Sequence, residues 1–241
     1  MQSSLQSFDR MGNPNDSKGM GFQQDTLRKG FYIRLGKRIF DVVFSVVGLL
    51  LLTPFFLVVA LCIKLTSRGS VFFRQVRIGR DGYPFQIVKF RSMDEIASKM
   101  PPSVTVSSDA RITRVGRILR RYKIDELPQL WNVALGDMSF VGPRPELPKY
   151  VEAYSTGQRQ VLSVRPGITD PASLAYRHEE EILSDSQNAE EIYRTEILPD
   201  KLSRNLSYIK NISFWSDVHI ILATLAHLFL FAKKNPMRFE K

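Results

Sequence analysis

The sequence predicts an α+β protein that is mainly helical, with one small β-hairpin and an apolar membrane helix near its N-terminus. Three stretches lead to this fold class. Residues 42–63 form a run of 22 residues without a charge. Residues 70–93 contain two alternating runs around a glycine-containing turn, and residues 109–137 have helical spacing. We therefore expect helices to dominate and the sheet to be confined to the hairpin.

The composition favours a polyanionic partner. The 241 residues include 34 Lys and Arg against 24 Asp and Glu, which gives a net charge of +10. Such an excess attracts nucleic acid, anionic lipid or phosphorylated metabolites, and charge alone does not choose among them. The single cysteine, Cys62, excludes an internal disulfide framework, and three histidines are poor material for a zinc site. The low cysteine count indicates that the protein works in a reducing compartment.

The first 30 residues are rich in Ser, Gln, Gly, Asn and Asp and have no sustained periodicity. Such a composition is typical of a disordered tail. The stretch has no apolar core followed by a small-residue cleavage site, so a signal peptide is not expected.

The apolar run from Val42 to Ile63 is long enough to cross a membrane. As a helix its 22 residues rise about 33 Å, close to the bilayer core of about 30 Å. Pro54 lacks an amide donor and disfavours helical geometry at Thr53, so a break is expected there. Basic residues flank the run on both sides, and such flanks prefer the cytoplasm. Two topologies stay open: a kinked single span, or a helix that turns at Thr53-Pro54 and leaves on the same face.

The hairpin is predicted from two aromatic and β-branched runs with period-two alternation. They surround Gly79-Arg80-Asp81-Gly82, and an Asp-Gly pair between such runs is a strong turn signal. Its tip is therefore predicted at Asp81-Gly82. Two basic residues, Lys89 and Arg91, stand at the end of the second run.

An arginine-rich stretch follows the hairpin. The arginines at 111, 114, 117 and 120 are spaced by three residues, which places them on one side of a helix. They suit a phosphorylated ligand, but a solvated helix face or a face lying on anionic headgroups explains the same pattern.

Asp125 and Glu126 stand directly after the arginines and are candidates for chemistry on a phosphorylated substrate. One carboxylate can attack phosphorus to form an acyl-phosphate, while the second helps to hold a divalent cation, best Mg²⁺, that neutralises a diphosphate. Arginine and lysine would bind the phosphate oxygens. The alternative is structural, because Asp is a favoured N-cap and Asp-Glu is common at helix starts. The dipeptide alone does not separate the two.

Prolines and a second apolar run mark the remainder of the chain. Pro143, Pro145 and Pro148 predict a stiff connector around Arg144. Residues 178–212 are charged and predicted to be helical, with a break near Pro199.

A second apolar run, from residue 218 to residue 232, has 15 uncharged residues. This is short for a membrane span, so the run is expected at the membrane interface or in the core. Its two histidines are interpreted as packed aromatic side chains rather than ligands.

Several motifs, in order, resemble one known family. They are KRIFDVVFSVVGLLLLTPFFLVVAL, FRQVRIGRDGYPFQIVKFRSM, RITRVGRILRRYKIDELPQLWNVALGDMSFVGPRPE and RPGIT, and the resemblance covers residues 34–232. On these motifs the chain is similar to the bacterial sugar transferases called small monotopic phosphoglycosyl transferases.

The resemblance implies a reaction and the residues that perform it. Such enzymes use Mg²⁺ to move a phosphosugar from a UDP-sugar to a polyprenol phosphate such as undecaprenyl phosphate, release UMP and start glycan assembly. Asp125 matches the nucleophile that forms a covalent phosphosugar intermediate, and Glu126 matches its partner in metal and phosphate chemistry. The residues assigned to substrate binding are Lys89, Arg91, Arg120 and Arg144.

The resemblance also favours one topology over the other. It implies a re-entrant helix broken at Thr53-Pro54, in the bacterial inner membrane, with the active site on the cytoplasmic face. The expected organisation is a tail over 1–30, a re-entrant membrane helix over 31–66 and a catalytic domain with interfacial helices over 67–241. The expected partners include anionic lipid but no nucleic acid, and a homo-oligomer is compatible with the sequence.

One departure from the family and one rival function qualify this interpretation. After RPGIT many members continue with Gly and a short apolar stretch, whereas this chain reads DPASLAYRHEEEIL, so the identity of the sugar does not follow. The rival is a noncatalytic adaptor that sits on anionic membrane through its arginines and recruits other proteins of polysaccharide assembly.

Overall fold

The computed structural model describes residues 32–94, 109, 111–177, 179–184 and 188–234. The predicted tail, residues 1–30, lies outside them. The helices are α1 (Lys37–Thr66), α2 (Arg114–Arg121), α3 (Gln129–Leu135), α4 (Pro148–Glu152), α5 (Pro171–Ala175), α6 (Glu179–Ser184), α7 (Ala189–Ile192), α8 (Leu198–Lys210) and α9 (Phe214–Lys234). The strands are β1 (Phe72–Ile78), β2 (Pro84–Phe90), β3 (Ser139–Val141) and β4 (Gly167–Thr169). The prediction of a mainly helical chain with little sheet is confirmed.

Helix α1 is the element that suits a membrane. Its 30 residues rise about 45 Å. Among the described residues it is the one helix long and apolar enough to cross a bilayer, and only 11% of its most apolar window is buried against the protein. Large apolar side chains such as Leu50, Leu51 and Leu57 are exposed along it. Because an exposed apolar surface of this size is unfavourable in water, the helix suits a lipid environment.

The structure places Thr53 and Pro54 inside a continuous helix. Every residue from Lys37 to Thr66 is helical, and the Thr53 hydroxyl donates to the Leu49 carbonyl oxygen at 2.7 Å. A proline removes one amide donor and crowds the carbonyl four residues earlier, which can kink a helix without ending it. The expected departure of Thr53 from helical geometry is therefore absent, and the turn within the membrane stays a prediction.

Both ends of α1 contact the rest of the protein. Near its start, Asp41 accepts hydrogen bonds from the Ser139 hydroxyl and the Phe140 amide of β3, at 3.1 and 3.0 Å. Near its end, Ile63 is buried in a cluster with Phe90 of β2 and Leu119 of α2. The helix is thus attached to the same body at two points far apart along its axis.

The hairpin has the predicted position and tip. Strands β1 and β2 are antiparallel, with Phe72 opposite Phe90 and Ile78 opposite Pro84. A short turn at Arg80–Gly82 joins them. Asp81 and Gly82 have φ of 58° and 82°, a conformation that Gly and Asp tolerate better than most residues. The Asp81-Gly82 tip is confirmed.

A second sheet was not predicted. Strands β3 and β4 pair in parallel, with Ser139 opposite Gly167 and Val141 opposite Thr169. Each strand has only three residues, which is too short for a periodicity signal. A Cβ at Gly167 would lie 2.1 Å from the Gly142 amide nitrogen, so this close approach of two backbones requires glycine.

The largest core cluster joins the hairpin to the C-terminal helices. It contains Ile78 of β1, Tyr150 of α4, and Leu198 and Leu202 of α8. This packing supports the loop that carries Arg144.

Helices α6, α7 and α8 lie in the predicted helical stretch. The break predicted near Pro199 is not found, because a π-helical turn, Tyr193–Ile197, joins α7 to α8 directly. The proline distorts the helix rather than ending it.

Candidate active site

The Asp125-Glu126 pair lies in a short turn between α2 and α3. Lys123 has φ of 54° and ψ of 21°, which is left-handed and ends the coil of α2. A tight helical turn, Ile124–Glu126, follows, and Leu127 and Pro128 are right-handed as they lead into α3. The arginine-rich stretch and the segment after it are therefore two helices with a break, rather than one continuous helix.

A close backbone contact holds α2 against the hairpin. Gly116 packs against the backbone that follows β2, where an added Cβ would lie 1.9 Å from the Ser92 carbonyl oxygen. The Thr113 hydroxyl caps α2 by accepting a hydrogen bond from the Gly116 amide at 2.8 Å. This contact sets the position of the turn that follows α2.

Glu126 is the centre of a buried ion cluster. It is 8% exposed. The Lys89 ammonium of β2 donates to its Oε1 at 2.9 Å, and the Arg144 guanidinium donates to Oε2 at 3.1 Å and also to Oε1. Three segments far apart in sequence thus meet at one carboxylate.

The electrostatics of this cluster keep Glu126 ionised. Burial alone would raise the pKa of Glu126, but the charges of Arg144 and Lys89 outweigh it and hold that pKa well below its usual range. In return the negative charge of Glu126 raises the pKa of Arg144. Burial lowers the pKa of Lys89 despite the opposing effect of Glu126. Glu126 therefore orients the two cations and offsets one of their two positive charges.

Asp125, the neighbouring carboxylate, is in the opposite situation. It is 6% exposed, and its Oδ1 is buried without a hydrogen-bond partner. Burial, followed by the charge of Glu126, raises its pKa, against the opposing charges of Lys89, Lys123 and Arg120. A buried carboxylate that has an unpaired oxygen and nearby cations is a candidate functional group.

The structural alternative for Asp125 does not match these contacts. Helix α3 begins at Gln129, and the residue that precedes it, Pro128, makes no side-chain cap. An N-cap carboxylate would accept an amide hydrogen of the first turn, whereas Asp125 Oδ1 accepts none. Helix capping therefore does not explain why an aspartate stands at position 125.

Of the two remaining predicted substrate-binding residues, Arg120 lies near this turn, whereas Arg91 contacts the end of α1. Arg120, in the last turn of α2, affects the pKa of both Asp109 and Asp125, so it lies near the carboxylate pair. Arg91 lies elsewhere: its guanidinium donates to the Ser67 carbonyl and hydroxyl oxygens at 3.0 and 2.8 Å and to the Arg68 carbonyl oxygen. The structure thus places Arg91 as an anchor for the end of α1.

The carboxylate pair offers few free ligand atoms to Mg²⁺. Among the described residues there is no group of three or more His, Cys, Asp or Glu side chains that could hold a metal ion. Mg²⁺ in phosphoryl-transfer sites often takes only one or two carboxylates, with substrate phosphates as further ligands. The unpaired Oδ1 of Asp125 fits that partial role, whereas the Glu126 oxygens already accept from Lys89 and Arg144.

Sequence reasoning missed two residues beside this cluster. Arg77 donates to the Pro145 carbonyl oxygen at 3.1 Å and lies 3.7 Å from Glu146, so it supports the loop that carries Arg144. The strand register contained a signal, because Phe73 pairs with Lys89 and residues 73 and 77 share a face of β1. The second is Gln129, which is completely buried at the start of α3.

Comparisons with known proteins place the chain among bacterial sugar transferases. The family model described as bacterial sugar transferase matches residues 32–230. A UDP-glucose:undecaprenyl-phosphate glucose-1-phosphate transferase of Caulobacter vibrioides is 37% identical over 87% of this chain and 78% of its own length. A protein of Klebsiella pneumoniae with the same name is 38% identical over 78% of this chain and 39% of its own length. The exopolysaccharide production protein ExoY of Rhizobium meliloti is 33% identical over 79% of this chain and 84% of its own length.

The chain spans a limited part of some of these relatives, 39% of the Klebsiella protein and 40% of the Escherichia coli one. The family match, in contrast, covers most of the chain and includes α1, the hairpin, the carboxylate turn and the Arg144 loop. This protein therefore belongs to the bacterial sugar transferase family.

Proposed function

We propose that this chain is a phosphoglycosyl transferase that moves a sugar-1-phosphate from a UDP-sugar to polyprenol phosphate and releases UMP. The observation that carries the proposal is the contrast within the carboxylate pair. Glu126 is saturated by Lys89 and Arg144, while Asp125 beside it is buried with an unpaired oxygen. Relatives whose names specify undecaprenyl-phosphate sugar phosphotransfer support the substrate class.

In the first half of the reaction Asp125 acts as the nucleophile. A carboxylate oxygen attacks the phosphorus that carries the sugar, the bond from that phosphorus to the bridging oxygen breaks, and UMP leaves with the bond electrons. In the second half a phosphate oxygen of the polyprenol phosphate attacks the same phosphorus. The Asp125–phosphorus bond breaks, which regenerates the carboxylate and yields a polyprenol diphosphate sugar.

The basic residues position the diphosphate for this displacement. Arg144 and Lys89 are held by Glu126 with donors directed into the cluster, and a fixed guanidinium suits phosphate oxygens. Arg120 adds positive charge near Asp125. Asp125 would hold Mg²⁺ together with the substrate, and the ion would supply positive charge that stabilises the leaving phosphate.

We place this chemistry at the cytoplasmic face of the bacterial inner membrane, where it would start the assembly of an exopolysaccharide, capsule, O-antigen or other glycoconjugate. Two contacts of α1 support re-entry, because Asp41 and Ile63 both meet the catalytic body. A helix that crossed the bilayer would leave one of these ends on the far side. Trp131 of α3 and Trp215 of α9 are 55% and 76% exposed, as expected of aromatic anchors at headgroup level.

Site-directed labelling tests the topology. In a Cys62→Ser background, single cysteines at Leu35 and Ser70 flank α1. Both should react with a membrane-impermeant maleimide only when the reagent is supplied from the cytoplasmic side. Reaction of one position from the opposite side would show a single span and contradict re-entry.

A UMP-release assay tests the reaction. The purified full chain in detergent, given polyprenol phosphate, Mg²⁺ and a panel of UDP-sugars, should release UMP from at least one sugar, and chelation of Mg²⁺ should stop the release. Binding to anionic liposomes without release from any UDP-sugar would favour the noncatalytic adaptor instead.

A further inference from the structure

Gln129 is a buried polar side chain without a hydrogen-bond partner. It is 0% exposed, and both Oε1 and Nε2 of its carboxamide are unpaired. A buried amide without a hydrogen-bond partner lowers the free energy of unfolding, and most buried amides in native proteins have a partner. Asn132, one turn later in α3, shows the ordinary case, because its carboxamide accepts from the Val88 amide at 3.0 Å and donates to the Gln86 carbonyl oxygen at 2.8 Å.

The backbone directs the Gln129 side chain toward the carboxylate turn. Gln129 follows Asp125 by four residues and Glu126 by three, and the residues from Ile124 to α3 are coiled in the right-handed sense. Residues three and four apart share a helical face, and helical side chains lean over the preceding turn. The Gln129 carboxamide therefore lies on the face that carries the carboxylates.

Two complementary groups on this face are left unpaired. The Nε2 of Gln129 is a donor, and the Oδ1 of Asp125 is an acceptor. Neither bonds the other in the structure, although both belong to consecutive turns. Glu126 does not compete for the donor, because Lys89 and Arg144 already occupy its oxygens.

We infer that Gln129 is a positioning residue for Asp125, an inference that rests on the proposed transfer. When the UDP-sugar is bound, the Gln129 amide donates to Asp125 Oδ1 and fixes the plane of the carboxylate, so that its other oxygen points to phosphorus. Gln129 neither gains nor loses a proton in the reaction. The unpaired amide lowers the stability of the resting protein, and its benefit comes only during turnover.

Matched substitutions of the two carboxamides in α3 test this inference. Gln129→Met keeps the length of the side chain and removes both polar atoms, and Gln129→Leu likewise removes both in a branched apolar side chain. Asn132→Leu removes a paired carboxamide. We expect kcat for UMP release to fall about tenfold or more in both Gln129 variants, with KM for the UDP-sugar within about twofold of wild type. The melting temperature should not fall for Gln129→Met and should fall for Asn132→Leu.

Two results would overturn the inference. One is a kcat within about twofold of wild type in both Gln129 variants. The other is a Gln129→Met protein whose melting temperature falls as far as that of Asn132→Leu, because Gln129 would then be a structural residue. Wild-type protein assayed in parallel separates the two proposals: if it releases no UMP from any UDP-sugar, the proposed function fails, while the melting comparison still reports on Gln129.

Discussion

Two buried acidic clusters in this protein differ in how their polar atoms are paired. In the first, the anchor cluster, Asp217 at the start of α9 is 2% exposed. It accepts hydrogen bonds from the Tyr32 and Tyr208 hydroxyls, each at 2.6 Å, and from the Lys37 ammonium of α1. Its two carboxylate oxygens both have partners, so the cluster ties the membrane helix to the C-terminal helix.

The second, the transfer cluster, is as deeply buried but only half paired. Glu126 is held by Lys89 and Arg144, whereas Asp125 Oδ1 and the Gln129 carboxamide have no partners. Full pairing of a buried acid stabilises a fold, and incomplete pairing lowers stability unless a ligand completes it. What separates the proposed transfer cluster from the anchor cluster is thus its unpaired polar atoms rather than the presence of buried charge.

An Asp→Asn substitution made in each cluster contrasts the two. The largest effect on UMP release is expected at Asp125. Asp125→Asn removes the proposed nucleophile, so UMP release should fall by about a thousandfold or more. Because the fold raises the pKa of Asp125, its ionised form is disfavoured in the native state, and the melting temperature should stay equal or rise. Release of UMP at the wild-type rate would remove Asp125 from its role.

Asp217→Asn should do the reverse. It leaves the Lys37 ammonium without its anion and weakens two tyrosine hydrogen bonds, which should lower the free energy of unfolding by about 2 to 3 kcal/mol. The kcat of the folded fraction should stay near wild type. Chemical denaturation in detergent measures the first quantity, and UMP release measures the second. An unchanged stability would show that full pairing does not distinguish the anchor cluster.

A smaller, graded effect is expected from pH. Burial and Glu126 raise the pKa of Asp125 above its ordinary value, which is about 3.9. Attack requires the ionised carboxylate, so UMP release should be level above the raised pKa and fall about tenfold per pH unit below it. Glu126 remains ionised across this range because its pKa is held well below the usual one. A full rate in folded protein at a pH of about 4 would contradict the raised pKa of Asp125.

Much of the fold was predictable because its signals are long. The apolar run indicated α1, and the alternating runs with Asp81-Gly82 indicated the hairpin. Strands β3 and β4, of three residues each, carry no such signal. The left-handed Lys123 also escaped prediction, because lysine has no preference for that conformation.

The candidate site was predictable in part. The motifs indicated Lys89, Glu126 and Arg144, which the structure brings together. Arg91 was assigned to the same site with Lys89, and both belong to the KFR motif of the family resemblance. Strand β2 ends at Phe90, so Arg91 lies beyond the alternation and turns to the end of α1. Gln129 escaped notice because an isolated glutamine has no charge pattern, and only its unpaired burial reveals it.

Peptide mapping by mass spectrometry tests the central claim most directly. The chain is incubated with the UDP-sugar that supports UMP release and with Mg²⁺, without polyprenol phosphate, and is then digested and mapped. We predict a mass increase of one sugar phosphate on the peptide that contains Asp125, its loss when polyprenol phosphate is added, and no increase in Asp125→Asn. Two results would contradict the account. One is a wild-type sample that releases UMP but carries no sugar phosphate when it is rapidly quenched. The other is a sugar phosphate that still appears on the Asp125→Asn protein.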